Sequence, residues 1–350
     1  MTATIDAPTT PATPAVASAR GSSARAYLVV VGVGALVVAA AALLSLAVGA
    51  VALSPGEVLR SLFGSAGQST DALVDARVQR TLVGILIGGS VAVSGAVMQG
   101  VTRNPLADPG ILGVNSGAAL AVILGIYWAG ISTLPAYIWL AVLGGSVAAV
   151  AVYAIASLGP RASQPVTMAL AGAAVTAAAS SIIAGIMVTS DEVLDTFRFW
   201  QVGSVAGRDV DAIVPVLPMF LVGLLLCLAS GPILNALALG DDMASALGQR
   251  VRLGRLVASF GAVLLCAGAT AVAGPIGFVG LVVPHVVRLV VGPDYRRVLV
   301  GSMFGGPALL LLADTVGRVV APPAEISVGI VTALIGAPAL IWLVRRVRTS

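Results

Sequence analysis

The chain has 350 residues, is 58% hydrophobic, and carries a charged side chain at only 10% of its positions. Soluble globular domains devote about a quarter of their residues to charge, so that class is excluded. The net charge of +4 comes from arginine against acid, with no lysine anywhere. It reads as a topology signal, and a nucleic-acid partner has no support.

Residues 1–24 are rich in Ala, Thr, Pro and Ser, with almost no large apolar group. Such a segment buries too little surface to order itself, so a disordered cytoplasmic tail is expected. A signal peptide is the competing reading, because Arg20 and Arg25 precede an apolar run. That run exceeds the usual apolar core of a signal peptide, which favours an uncleaved first span. Runs able to cross a hydrocarbon core of roughly 30 Å then recur along the chain. They are expected at 27–53, 78–101, 111–130, 136–158, 166–189, 212–238, 256–274, 276–291, 299–320 and 326–344. The third and eighth are short or interrupted by glycine, so ten spans are expected and nine remain possible. With both termini inside, thirteen arginines fall on the cytoplasmic side and six outside. This agrees with the positive-inside bias.

Arg77-x-x-Arg80 opens the second span, a helix of small residues that includes Gly88, Gly89, Ser94 and Gly95. A polar island punctuated by Pro and Gly follows at 99–117. Its prolines stop a helix, and its Arg, Asn and Asp cannot sit unpaired in lipid. Arg252-x-x-Arg255 opens the seventh span, which is followed by a second broken stretch at 274–285. An offset of five spans inverts orientation, so the two halves carry a weak trace of the inverted repeat found in transporters. Cys227 and Cys266 fall inside spans and read as small buried hydrophobes.

Residues 237–255 form the longest cytoplasmic connection. Asp241 and Asp242 can cap a short helix with the apolar face Met243, Ala246 and Leu247, ended by Gly248. By itself such a helix lies on lipid or docks into a partner's groove. His285 and Arg288 share a helical face near the cytoplasmic boundary, where a structural hydrogen-bonding role is expected for the histidine. Asp314 and Arg318, four residues apart on the ninth span, suit an internal ion pair, with Arg318 near enough to the outer end to face water. No catalytic constellation, metal-binding cluster or phosphate loop is visible, so no enzyme activity and no cofactor are expected. Any ATPase must be another chain.

Several blocks together carry a resemblance. Arg77-x-x-Arg80, Ser94-Gly95-x-x-x-Gln99 and Arg103-Asn104-Pro105-Leu106-Ala107-x-Pro109 come first. Trp200-x-x-Gly203-Ser204 and Leu239-Gly240-Asp241-x-x-Ala244-x-x-Leu247-Gly248 follow in order. Phe278-Val279-Gly280-Leu281-x-x-Pro284-His285-x-x-Arg288, Ala313-Asp314-x-x-x-Arg318 and Glu325-Ile326-x-Val328-Gly329 complete the set. Over about residues 27–348 the chain resembles the FecCD-type permeases, membrane subunits of ABC importers for ferric siderophores, haem and cobalamin. One departure stands out: Arg77-Val78-Gln79-Arg80 lacks the proline common between those arginines in the family, which leaves the helix start open.

The resemblance implies an all-α polytopic fold and assigns residue roles. Gly240, Asp241, Ala244, Leu247 and Gly248 match helices that couple to the ATPase. Arg77, Arg80 and Arg318 match outward arginines that dock an extracytoplasmic substrate-binding protein. Gln99, Asn104, Ser163, Gln164, Trp200 and His285 are the candidate pathway and gate residues. The implied partners are two cytoplasmic ABC ATPase subunits, the binding protein, a second permease subunit and the lipid bilayer. The second, fifth and eighth spans are expected to line the pathway. The rival is a secondary transporter driven by an ion gradient. Such machines bury ionisable residues mid-membrane, where this chain offers only Asp314 beside the neutralising Arg318.

Overall fold

The computed structural model describes residues 17–49, 51–158, 165–208, 210–322 and 324–347. Every regular element among them is helical, as hydrocarbon requires of chains that must satisfy their own backbone groups within one segment. The first third holds α1 (Ala17–Ala47), α2 (Pro55–Phe63), α3 (Gln68–Thr102), α4 (Val114–Ala129) and α5 (Leu134–Ser157). Next come α6 (Pro165–Thr189), α7 (Asp191–Gln201), α8 (Val210–Ile213), α9 (Leu217–Ala229) and α10 (Gly231–Ala238). The last third holds α11 (Asp241–Ala246), α12 (Val251–Ala273), α13 (Val279–Val291), α14 (Tyr295–Val320) and α15 (Val328–Val347).

Six of these are long and apolar enough to cross a membrane: α1 from Tyr27, α3, α5, α6, α12 and α14. The pair α9 and α10 gives one more candidate, bent by 45°. The segments α4, α13 and Val328–Ile341 of α15 are shorter apolar helices. All lie at the expected spans, and the count of ten depends on including the bent and short ones.

Two boundaries differ from expectation. Helix α1 already begins at Ala17, inside the segment read as a disordered tail; Ala and Arg are good helix formers that extend the apolar span backwards. Helix α3 begins ten residues before the expected 78, because no proline between Arg77 and Arg80 interrupts it. Its start is fixed by Asp71, which accepts from Ser61 Oγ (2.6 Å), Ser65 Oγ (2.7 Å) and the Ala66 N–H (3.0 Å).

The centre of the fold is α3 with α12. Their central windows are 83% and 78% buried, against 22% for α6 and 11% for α1. Helix α3, expected to line the pathway, is therefore enclosed by its own chain. It packs most extensively on α14, then on α12 and α13, while α12 packs on α3, α9 and α5. The second span against the ninth, and the seventh against the fourth, is the pairing that an inverted repeat of five spans produces.

Glycine sets how closely α3 lies against its neighbours. A Cβ on Gly95 would fall on the backbone of Gly280 in α13. One on Gly88 would meet the backbone of Gly306 and Pro307 in α14 at 2.7–2.8 Å. Contact of backbone with backbone is the usual way membrane helices gain packing energy where lipid removes the hydrophobic drive. Gly95→Ala should therefore force α3 and α13 apart and cost about 1–3 kcal/mol or more. Gly185→Ala on α6, where nothing lies within 4 Å, should be neutral or mildly stabilising. Thermal unfolding of the two purified variants checks the difference.

Candidate functional site

At one end of α3 the chain turns sharply at Arg103, which adopts the left-handed conformation (φ 51°). This turn aims its guanidinium at the short helix α11: Arg103 Nη2 lies 3.4 Å from Asp241 Oδ1. Arg255, in the first turns of α12, reaches the same oxygen at 3.0 Å. One carboxylate thus clasps α11 to both of the most buried helices. Asp241 was expected to cap α11, but the cap position is Gly240, which has no side chain; Asp241 is the first residue of the helix, and its carboxylate is engaged by the two arginines instead. On α11 Ala244 is buried, while Met243 and Leu247 are 54% and 58% exposed. The expected apolar face is therefore uncovered. Gly248 (φ 77°) closes the turn, its N–H donating to the Ser245 carbonyl at 2.9 Å.

One turn before Arg103, Gln99 joins α3 to α13. Its Nε2 donates to the Gly280 and Leu281 carbonyls, both at 3.3 Å, and its Oε1 accepts from Arg288 at 3.1 Å. Arg288 in turn lies 5.4 Å from the centre of the Tyr295 ring. Asn104 stabilises the island's turn by accepting the Leu106 N–H at 2.9 Å. Trp200 is buried against Phe197, ring centres 5.9 Å apart, and its indole N–H has no partner among the described residues. Half-buried His285 likewise lacks a partner at Nδ1, so the expected structural hydrogen bond there is not found among the described residues. Ser163 and Gln164 lie outside the described residues. Among the described residues, the non-glycine ones in the left-handed region, Arg103 and Phe278, mark the two broken islands. Strained backbone of this kind collects at functional positions.

The other end of α3 holds a cluster of arginines, placed differently from expectation. Arg77 is only 6% exposed and donates to the Leu46 (2.7 Å), Ala47 (3.3 Å) and Val51 carbonyls, closing the open end of α1. Arg318 is 3% exposed, with bonds to the Ser45 carbonyl (3.0 Å), Ser45 Oγ (2.9 Å) and Thr315 Oγ1 (3.1 Å). Its Nε also lies 3.2 Å from Asp314, the ion pair expected from their spacing. The expectation that these two guanidiniums reach water is therefore corrected. The chain end of α1 offers free carbonyls, and long cationic side chains close over them. Arg80 spans the gap, with Asp314 at 2.8 Å and Glu325, just before α15, at 2.7 Å.

Sequence reasoning missed the pairing of Arg103 and Arg255 with Asp241, and of Gln99 with Arg288. The signal was present: each of these residues stands inside a quoted motif, but distances between separate blocks are not in the sequence. The cluster sets a stability test. Asp314→Asn removes the counter-charge shared by two enclosed guanidiniums, which should cost about 3–5 kcal/mol. Glu325→Gln, at a far more exposed pair, should cost no more than about 1 kcal/mol. Unfolding midpoints of the purified variants should separate accordingly.

Comparison with known proteins agrees with this architecture. The profile of the FecCD transport family matches residues 36–346. The ferric enterobactin transport system permease protein FepD of Escherichia coli (strain K12) is 44% identical over 306 residues, covering 87% of this chain and 91% of FepD. The cobalamin import system permease protein BtuC of Halobacterium salinarum is 40% identical over 275 residues, covering 77% and 72%. A solved structure of a metal-chelate type ABC transporter in an inward-facing conformation superposes with a TM-score of 0.79. It shares 30% identity and covers 91% of this chain and 99% of its own. A multi-pass bundle with two broken islands, a clasped short helix and this extent of similarity place the chain in the FecCD transport family.

Proposed function

We propose that the chain is one of two pore subunits of an ABC importer for a ferric siderophore or a similar large metal chelate. Two cytoplasmic ATPase subunits power it, and an extracytoplasmic binding protein feeds it. Both termini are cytoplasmic, so the Asp241 end of α3 faces the ATPases and the Arg80 end faces outward. The observation that carries this reading is the uncovered apolar ledge of Met243 and Leu247 on a helix held by Asp241 to α3 and α12. A short amphipathic helix of this form seats in a hydrophobic groove of a partner.

In this mechanism ATP closes the nucleotide subunits and displaces α11, and the Asp241 clasp passes that displacement to α3 and α12. Gln99 and Arg288 extend the link to α13, and the bundle changes which face is open. Affinity for cargo resides in the binding protein, so the pore itself needs no tight site. Against a gradient-driven mechanism, Asp314, the acid expected mid-membrane, lies at the Arg80 end of α3 and is held there by Arg80 and Arg318.

Replacing Gly248 (φ 77°) with valine forces a β-branched residue into a conformation it rarely adopts. The expected result is an inserted permease that retains little ATPase in co-purification and transports poorly. Unchanged co-purification and transport would refute the coupling role of residues 240–248. For orientation, a cysteine at position 72 should react with an impermeant thiol reagent in intact cells, and one at 245 should not. The reverse pattern would invert the assignment of both faces.

A further inference from the structure

On the surface of the bundle a groove of about 830 Å³ runs between α1, α13 and α14. Its walls are Val29 and Val33 of α1 and Val286 and Val290 of α13, all exposed apolar side chains. Both wall helices are fixed to α14 beneath them. The Phe304 ring lies 2.7 Å from where a Cβ on Gly34 would stand, and Val287 lies 2.5 Å from one on Gly301. The groove follows α1 from Val29 to Val37 and α14 from Arg297 to Gly305. Either stretch rises about 12 Å at 1.5 Å per residue. That is close to the depth of one leaflet, roughly 15 Å of a 30 Å hydrocarbon core. At the mouth the chemistry changes. Arg297 lines the groove and Arg296 precedes it, and neither guanidinium forms an ion pair or hydrogen bond among the described residues. The adjacent acid, Asp294, is held by Asn235 of α10 (2.6 Å) and by the Arg296 N–H (3.0 Å). Beside the mouth the Tyr27 hydroxyl donates to the Arg296 carbonyl at 2.7 Å, joining the start of the α1 span to the start of α14. Tyrosine favours this boundary between hydrocarbon and headgroups.

We propose that this groove binds an anionic phospholipid, with one acyl chain between α1 and α13 and the headgroup phosphate taken by Arg297, while Arg296 adds the second positive charge. An apolar channel of leaflet depth that ends in unpaired guanidiniums matches both parts of such a molecule. An apolar helix of a partner chain would fill the channel and leave the two cations without a counter-charge. Helix α1 is the least buried of the six long spans, so the acyl chain supplies contact with α13 that the protein itself lacks. Placing the lipid in the cytoplasmic leaflet rests on the orientation given above; the class of lipid does not.

The test titrates the complete, delipidated transporter in detergent with dioleoyl phosphatidylglycerol or dioleoyl phosphatidylcholine and reads bound lipid by native mass spectrometry. The native protein should retain the anionic lipid over the zwitterionic one by roughly fivefold or more, the worth of one guanidinium near a charged lipid surface. Arg297→Gln should remove most of that preference and Arg296→Gln a smaller part. Val33→Trp, which fills the groove and leaves both arginines in place, should lower retention of both lipids while the ATPase subunits remain bound. An undiminished preference in Arg297→Gln would overturn the proposal, because the anionic site would then lie elsewhere. Undiminished retention in Val33→Trp would overturn it as well, since no acyl chain would then occupy the groove. So would a preference seen in the isolated permease and lost in the complete transporter, where a partner chain would cover the groove. Reversed thiol labelling at positions 72 and 245 would move the lipid to the other leaflet and leave the preference intact, so failure of the orientation and failure of the proposal read differently.

Discussion

Two helices, α13 and α14, lie against α3 at backbone distance only because glycine stands at the crossing points. Gly88 against Gly306 and Gly95 against Gly280 leave no room for even a methyl group. In lipid there is little hydrophobic gain from joining helices, so this close approach has to supply the packing energy. The consequence is mechanical. A helix of 35 residues held in this way at several points shifts with its neighbours or stays put, and both of its ends are thereby coupled.

The charges at the two ends complete that arrangement. Isolated charges are costly in a membrane, and almost every one near α3 is paired or bonded to carbonyls. At one end Arg77 and Arg318 close the α1 terminus against α3 and α14. At the other, Asp241 collects Arg103 and Arg255. The first set acts on buried carbonyls and holds the bundle together. The second is more exposed, with Asp241 side-chain exposure of 44%, and suits a joint that can shift under load.

Much of the fold was legible in the sequence, for a simple reason. Apolar length and Pro/Gly breaks are local properties, so the spans and the breaks at Pro105 and Pro275 could be read directly, although the second break ends at Phe278 and Pro284 lies inside α13. The start of α3 was misread because its first turns are polar and lie beyond the apolar run. The charged site was harder. Arg77, Arg80 and Arg318 look alike as letters near helix ends, yet the first and last are buried by the end of α1 and the second is shared between two acids. What decides this is where Leu46 and Ala47 bring their carbonyls, a tertiary fact. The same holds for Asp241, which stands one residue inside its helix, past Gly240 at the cap, and meets two guanidiniums arriving from other helices.

The central claim is that α3 links the proposed coupling helix to its own outward Arg80 end through the Asp241 clasp. Cys227 and Cys266 are both buried, so a single cysteine placed at exposed Asp75 reports on that end alone. Its rate of reaction with an impermeant maleimide can be followed in the reconstituted transporter with and without ATP. The account predicts that ATP changes this rate in the native background, and that Asp241→Ala removes the change while ATPase subunits remain bound. An undiminished response to ATP in the Asp241→Ala protein would contradict it.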